Sequence, residues 1–199
     1  MTKTWAIEQC IQFFGLSTQD ASLAYGQAGR DYLLKLWQQF PDTFYENPLS
    51  ILRQEWFHTF SGLYRHEGFW AALPIYGTVL DYGCGTAELA RFPWIVQHRQ
   101  ITLVEESQAC RSYLAQKYPW QSYPHVRVYA PSGSWHQRPR FDGLVCTDVF
   151  EHVPDPLTLQ ETLWSALRPG GYALLKFENA YPHAGHLQES IAQLPAWWA

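Results

Sequence analysis

Residues 79–90, Val-Leu-Asp-Tyr-Gly-Cys-Gly-Thr-Ala-Glu-Leu-Ala, constrain this chain more than any other segment. Branched apolar residues lead into an acid, Asp81, then Gly83 and Gly85, then a run with helical character. That order predicts a buried parallel strand, a tight turn and a helix start where a ligand would sit. Glycine lets the backbone turn sharply and a ligand approach without a Cβ in the way. The acid before the first glycine is unwelcome to a pyrophosphate and welcome to an ammonium. The turn therefore points to a ligand with a positive end.

The rhythm after residue 76 extends that prediction. Short apolar runs at Gly77–Tyr82, Ile101–Glu105, Val126–Tyr129, Gly143–Thr147 and Tyr172–Phe177 alternate with helical stretches at Ser107–Lys117 and Pro156–Leu167. Near-continuous apolar strands separated by helices imply βαβ units and a parallel sheet covered on both faces. The expected architecture is α/β: a Rossmann-like, doubly wound, mostly parallel sheet with five evident strands. Residues 1–75 read instead as a helical cap, with the sheet domain over 76–199. Ile7, Ile11 and Phe14 recur at helical spacing up to Gly15, a second helix is expected over Gln27–Phe40, and a third starts at Asn47-Pro48, with Leu49, Leu52, Trp56 and Phe60 on one face.

Composition narrows the function classes. Lys+Arg number 14 against 18 Asp+Glu, for a net charge of -4, so no basic surplus invites nucleic acid. No apolar run reaches the roughly 18 residues a membrane span needs. The four cysteines are scattered without a Cys-x-x-Cys pair, which predicts reduced thiols, no structural zinc and a cytoplasmic setting. Aromatic residues reach 17% and include 10 Trp, enough for a ring-lined pocket as well as a core. Tyr45, Trp56, Phe57, Tyr64, His66, Phe69 and Trp70 are the cap residues that would wall it, each also serving as ordinary core.

In a sheet of this kind ligands bind beyond the carboxyl ends of the strands, at the switch point. Glu105 ends the second strand 24 residues after Asp81, where a carboxylate can accept two hydrogen bonds from a ribose diol. A dinucleotide fingerprint needs a third glycine where Glu88 stands, and that carboxylate would repel a pyrophosphate. The dinucleotide reading fails on this point.

Asp81-Tyr82-Gly83-Cys84-Gly85 resembles the first motif of the class I S-adenosylmethionine-dependent methyltransferases. Glu105 is similar to their ribose-binding acid, residues 141–156 to their fourth-strand region, and Leu167-Arg168-Pro169-Gly170-Gly171 to the turn into their fifth strand. The resemblance implies S-adenosylmethionine as cofactor, held by Asp81, Tyr82, Gly83, Cys84, Gly85, Glu105, Glu106 and Asp148, with Asp81 near its ammonium. It implies methyl transfer to a small-molecule acceptor, through oxygen or another nucleophile of an aromatic or hydroxylated metabolite. Three positions depart from the pattern. Ala87 replaces a third glycine, Glu106 an apolar residue, and Ala130-Pro131-Ser132 an acid for the adenine amine; Ser132 or a stacked Trp135 would then serve the ring.

Asp148, Glu151 and His152 form the most consequential cluster. At i, i+3 and i+4 they would share one helix face near the transferable methyl. The cluster is similar to the Glu-x-x-Glu-His motif of ubiquinone-pathway O-methyltransferases and of small-RNA 2′-hydroxyl methyltransferases, which implies a divalent cation, completed here by His183 or His186. The alternatives are His152 as a metal-free general base beside Asp148, or a structural role. After the fifth strand only 179–199 remain, too short for the two final strands of the family. A trimmed sheet, a fragment, or completion of that edge by a homodimer or partner subunit all remain open, as does a non-catalytic cofactor-binding subunit.

Overall fold

The computed structural model describes residues 5–60, 71–87, 99–137 and 140–176. Helices α1 (Trp5–Phe14), α2 (Thr18–Ser22), α3 (Gly26–Gln39) and α4 (Pro48–Phe60) precede the sheet, with a 3-10 turn over Pro41–Glu46. Gly15 ends α1 at φ +61, where Leu16 N–H donates to the Ile11 carbonyl and Gly15 N–H to that of Gln12. These paired bonds satisfy carbonyls the helix end would otherwise leave open. Asn47 caps α4 by accepting from Leu49 N–H at 2.9 Å. Helix α2 was not foreseen in the sequence; Ser17 and Asp20 cap its first turn reciprocally.

The sheet comprises β1 (Thr78–Tyr82), β2 (Gln100–Val104), β3 (Val126–Tyr129), β4 (Phe141–Thr147) and β5 (Leu167–Lys176). All four pairings are parallel and the order is β3-β2-β1-β4-β5. The chain reverses its winding between β1 and β4, so the crevice lies above Tyr82 and Thr147. Helices α5 (Gln108–Lys117) and α6 (Pro156–Ala166) provide crossovers, each with a capping side chain, Ser107 and Asp155. Strand β5 starts earlier than expected. Leu167 already pairs with Phe141, and a register irregularity before Gly143 absorbs Arg168-Pro169-Gly170 into the strand. At the opposite end of the sheet from the crevice, Asp142 ties three strands together: it accepts from Thr78 N–H at 2.7 Å and pairs with Arg168 at 2.5 Å.

The alternation of β-strand side chains sorts the core into two layers. Val79, Ile101, Leu103 and Val145 pack with Ile7, Cys10, Ala21, Ile51, Leu52, Tyr113 and Leu114. Leu80, Val104, Leu144 and Cys146 pack with Trp135, Phe150, Leu159 and Leu163. The N-terminal helices thus share a core with one sheet face. Their tightest tie is polar: Lys117 Nζ lies 2.7 Å from Glu55 Oε2, with side chains 1% and 0% exposed. Tyr113 O–H also reaches Glu55 Oε2 at 3.1 Å and the Ala6 carbonyl at 3.0 Å. Among the described residues no helix is long and apolar enough to cross a membrane.

Removing one partner of such a pair strands a charge in the core. Glu55→Ala is expected to cost about 3–5 kcal/mol in denaturant unfolding, whereas the double change Glu55→Leu with Lys117→Met costs much less or nothing.

Candidate active site

The glycine turn is braced from below and from the side. Gly83 and Cys84 N–H groups both donate to the Val104 carbonyl, at 2.8 and 3.1 Å. Gly83 adopts φ +71, and a Cβ there would lie 2.2 Å from a Val149 methyl carbon. Gly85 adopts φ +51 and its N–H donates to Glu105 Oε2 at 2.9 Å, while Ser107 N–H donates to Glu105 Oε1 at 2.9 Å. One carboxylate therefore locks the turn after β1 to the loop after β2. Each of its oxygens retains a second acceptor direction for a ligand hydroxyl. Arg111 Nη1 adds a bond to the Glu105 carbonyl at 2.8 Å and another to that of Glu106, whose side chain is exposed.

Asp81 follows Val79 and Leu80 out of the buried strand and faces the same side as Val79 and the N-terminal helices. It is only 6% exposed, and no described residue donates a hydrogen bond to its carboxylate. Burial, then repulsion from Glu105, lifts its pKa to about 7. Burial also raises Glu105, against the lowering pull of the Ser107 and Gly85 N–H groups and Arg111. A buried carboxylate, Asp81, beside a half-buried one, Glu105, makes a receptor for a cation bearing hydroxyls. The donor set fits the ammonium and ribose of S-adenosylmethionine and offers no counter-charge for a pyrophosphate.

Ala87, which stands where the motif has a third glycine, has an unusual backbone. It is fully buried at φ +55, a left-handed conformation an L-residue adopts at a cost. Thr86 and Ala87 carbonyls are held by Lys117 Nζ at 2.7 Å and Tyr118 O–H at 3.1 Å. The helix expected from Glu88 onward lies outside the described residues. Cys84 and Cys110 both direct Sγ to the Gly85 carbonyl, at 3.6 and 3.2 Å, and burial raises both thiols well above their ordinary pKa.

Tyr82 points to the other face, edge-on to Trp135 at 5.7 Å between centroids; burial and neighbouring anions push its phenol up to about 12. Trp135 is 2% exposed and donates Nε1–H to the Pro131 carbonyl at 2.8 Å. Committed to the core in this way, it does not present a ring for stacking on a ligand.

The Asp148, Glu151 and His152 side chains do not converge. Asp148 sits at φ +56, outside any helix, and its carboxylate pairs with Lys176 Nζ at 2.7 Å. Residues 150–152 form a 3-10 turn, which rotates about 120° per residue, so Glu151 is buried at 1% exposure while His152 faces out. Among the described residues no group of three His, Cys, Asp or Glu side chains is placed to hold a metal ion. His183 and His186 lie outside the described residues.

The sequence reading missed three participants. Lys176 is the cation beside Asp148. Glu46 clasps the N-terminus of α5, accepting from Gln108 N–H at 2.7 Å and Ala109 N–H at 2.9 Å, where the helix dipole favours an anion. Tyr45, foreseen only as a pocket wall, places its hydroxyl 3.3 Å from His152 Nε2, rings edge-on at 5.8 Å. The segment Pro41–Asn47 thus bridges from the loop after β2 to the loop after β4. The side chains of Phe57, Tyr64, His66, Phe69 and Trp70 lie outside the described residues.

Backbone geometry at the turn gives opposite expectations for two substitutions. Ala87→Gly relieves the left-handed strain and is expected to stabilise the fold by about 0.5–1 kcal/mol in urea unfolding. Gly83→Ala drives a methyl into Val149 and is expected to destabilise by about 2–3 kcal/mol.

Known proteins were compared with the chain by sequence and by fold. The methyltransferase-domain family matches residues 63–199. The ubiquinone biosynthesis O-methyltransferase of Alkalilimnicola ehrlichii is 28% identical over 108 residues, covering 52% of this chain and 42% of that protein. The trans-aconitate 2-methyltransferase of Deinococcus radiodurans is 32% identical over 116 residues, covering 56% and 42%. Among solved structures, the glycopeptide N-methyltransferase MtfA complexed with sinefungin aligns with a TM-score of 0.44 and 19% identity, over 55% of this chain and 50% of that one. The chain spans less than half the length of the curated relatives it matches. The family match alone covers well over half of the sequence, and the chain belongs to the methyltransferase-domain family.

Proposed function

We propose that this chain is an S-adenosylmethionine-dependent methyltransferase acting on a hydroxyl of a small aromatic or hydroxylated acceptor. The observation that carries the reading is the pair of carboxylates, buried Asp81 and half-buried Glu105, set around a glycine turn at the switch point of a parallel sheet. The similarity to ubiquinone biosynthesis O-methyltransferases supports oxygen as the accepting atom. When bound, S-adenosylmethionine supplies an activated methyl carbon and a neutral thioether leaving group. The chain's own work is then alignment, which in favourable systems supplies roughly 7–11 kcal/mol of a barrier.

In this reading Asp81 holds the ammonium and Glu105 accepts from the ribose diol. The N–H groups of Gly85 and Ser107 keep the Glu105 carboxylate in register with the turn, so both ends of the cofactor are gauged from one rigid unit. Tyr82, Gly83 and Cys84 shape the floor, and Glu106 flanks the ribose. His152 is the general base that takes the acceptor's proton at Nε2. Asp148, tethered by Lys176, fixes the loop from which His152 projects. The helices α1, α2 and α4 pack on the face from which Asp81 emerges, and in this reading the N-terminal helices enclose the acceptor.

Calorimetric titration tests the cofactor claim. Asp81→Ala is expected to abolish S-adenosylmethionine binding; His152→Ala is expected to lower turnover with binding retained, and equal loss of binding in both would make His152 structural. A wild-type chain that gives no heat would sink the reading.

The raised Asp81 pKa also sets a pH dependence. Its folded value, about 7, exceeds the ordinary carboxylate value, so below about pH 7 the carboxyl carries a proton. Only the ionised form pairs with an ammonium. Affinity for S-adenosylmethionine is therefore expected to fall below pH 7, by up to about tenfold per unit. An Asp81→Asn chain that kept the wild-type slope would assign that titration elsewhere.

A further inference from the structure

The side chain of Glu105 is held by the Gly85 and Ser107 N–H groups, and its backbone is held by a different residue. Arg111 Nη1 donates to the Glu105 carbonyl at 2.8 Å and also to the Glu106 carbonyl. One guanidinium nitrogen thus draws two successive carbonyls to itself. In a pleated strand such neighbours point to opposite sides. The chain leaves strand geometry after Val104, and the guanidinium fixes the bend that follows. That bend carries Ser107 N–H round to Glu105 Oε1. The cation works from a well-anchored element. Its helix, α5, is clasped at the N-terminus by Glu46, and its last residue, Lys117, reaches the Thr86 carbonyl at 2.7 Å. Arg111 N–H itself donates to the Ser107 carbonyl at 2.9 Å, and Cys110 N–H to Ser107 Oγ at 3.0 Å. The guanidinium charge also works against the burial that raises Glu105, favouring the ionised carboxylate that can accept from two hydroxyls at once.

We infer that Arg111 is a positioning residue for ribose recognition: by gathering the Glu105 and Glu106 carbonyls it presents the Glu105 carboxylate to the diol of the cofactor. The inference rests on the methyltransferase reading, from which it takes the ribose, and deepens it by naming the residue that sets the acid's aim. Arg111 acts through Glu105 and does not touch the cofactor. Its loss frees the bend between β2 and α5, so the carboxylate still exists but no longer meets both hydroxyls. The fork of an arginine suits this task better than a lysine ammonium, because its donors are fixed in one plane.

The test compares adenosine, which carries the diol, with 2′,3′-dideoxyadenosine, which lacks it. The ratio of their dissociation constants reads ribose recognition and cancels general damage to the fold. Both nucleosides are titrated into the full chain as wild type, Arg111→Met and Arg111→Lys, with thermal unfolding recorded on the same samples. Hydrogen bonds to a charged acceptor should give the wild type about a 10-fold preference for adenosine, falling to about 3-fold or less in Arg111→Met. Arg111→Lys keeps the charge without the fork and should fall between them. A preference that Arg111→Met retains overturns the inference: both nucleosides weakened by one factor, or a lower melting temperature alone, makes Arg111 a structural tie. If Arg111→Met does not fold, Arg111→Lys decides, and a full wild-type preference in it overturns the inference. S-adenosylmethionine titrated into the wild type separates the two failures. No binding overturns the methyltransferase reading and the ribose assignment with it, whereas binding together with a preference kept in Arg111→Met overturns the role of Arg111 alone.

Discussion

The buried pair between Lys117 and Glu55 joins α5, α4 and the glycine turn through one ammonium. Lys117 ends α5, Glu55 lies inside α4, and the same ammonium reaches the Thr86 carbonyl in the glycine turn. Tyr113 carries the network on to α1 through the Ala6 carbonyl. Two fully desolvated charges repay their removal from water only when each is well bonded. Here that requirement ties the backbone of the ligand turn to the N-terminal helices. The helices therefore help to set the turn's shape from residues far from it in sequence.

A second constraint acts on the other side of the turn. Glu105 spends one oxygen on Gly85 and the other on Ser107, so the crevice wall made by β1 and that made by β2 move as one. Its charge also discourages ionisation of Asp81. Two neighbouring carboxylates thus carry unfavourable electrostatics that a cationic ligand would relieve.

Much of this architecture is legible in the sequence because it follows from local rules. Continuous apolar runs mark the strands, Asn47-Pro48 marks the start of α4, Gly15 its counterpart at the end of α1, and the acid and glycines mark the turn. What escaped depends on distant partners or on backbone conformation. Glu55 in an apolar helix looks like a solvated interruption until Lys117, 62 residues away, is placed against it. The Asp148, Glu151 and His152 spacing assumed 100° per residue, and a 3-10 turn entered from a left-handed Asp148 sends Glu151 inward and His152 outward. The left-handed backbone of Ala87 is likewise invisible in the sequence, because alanine carries no mark of that conformation.

The two thiols on the Gly85 carbonyl have a practical corollary. Cys84 and Cys110 are buried and held as neutral S–H donors, and Cys10 and Cys146 are equally enclosed. Nucleophilic attack needs a thiolate in contact with solvent. A closed molecule consequently offers alkylating reagents no reactive sulfur among the four, and any labelling of Cys84 or Cys110 dates a moment when the turn has come apart. The cysteines are thus built-in clocks for the opening of the crevice, sited where a ligand would slow them.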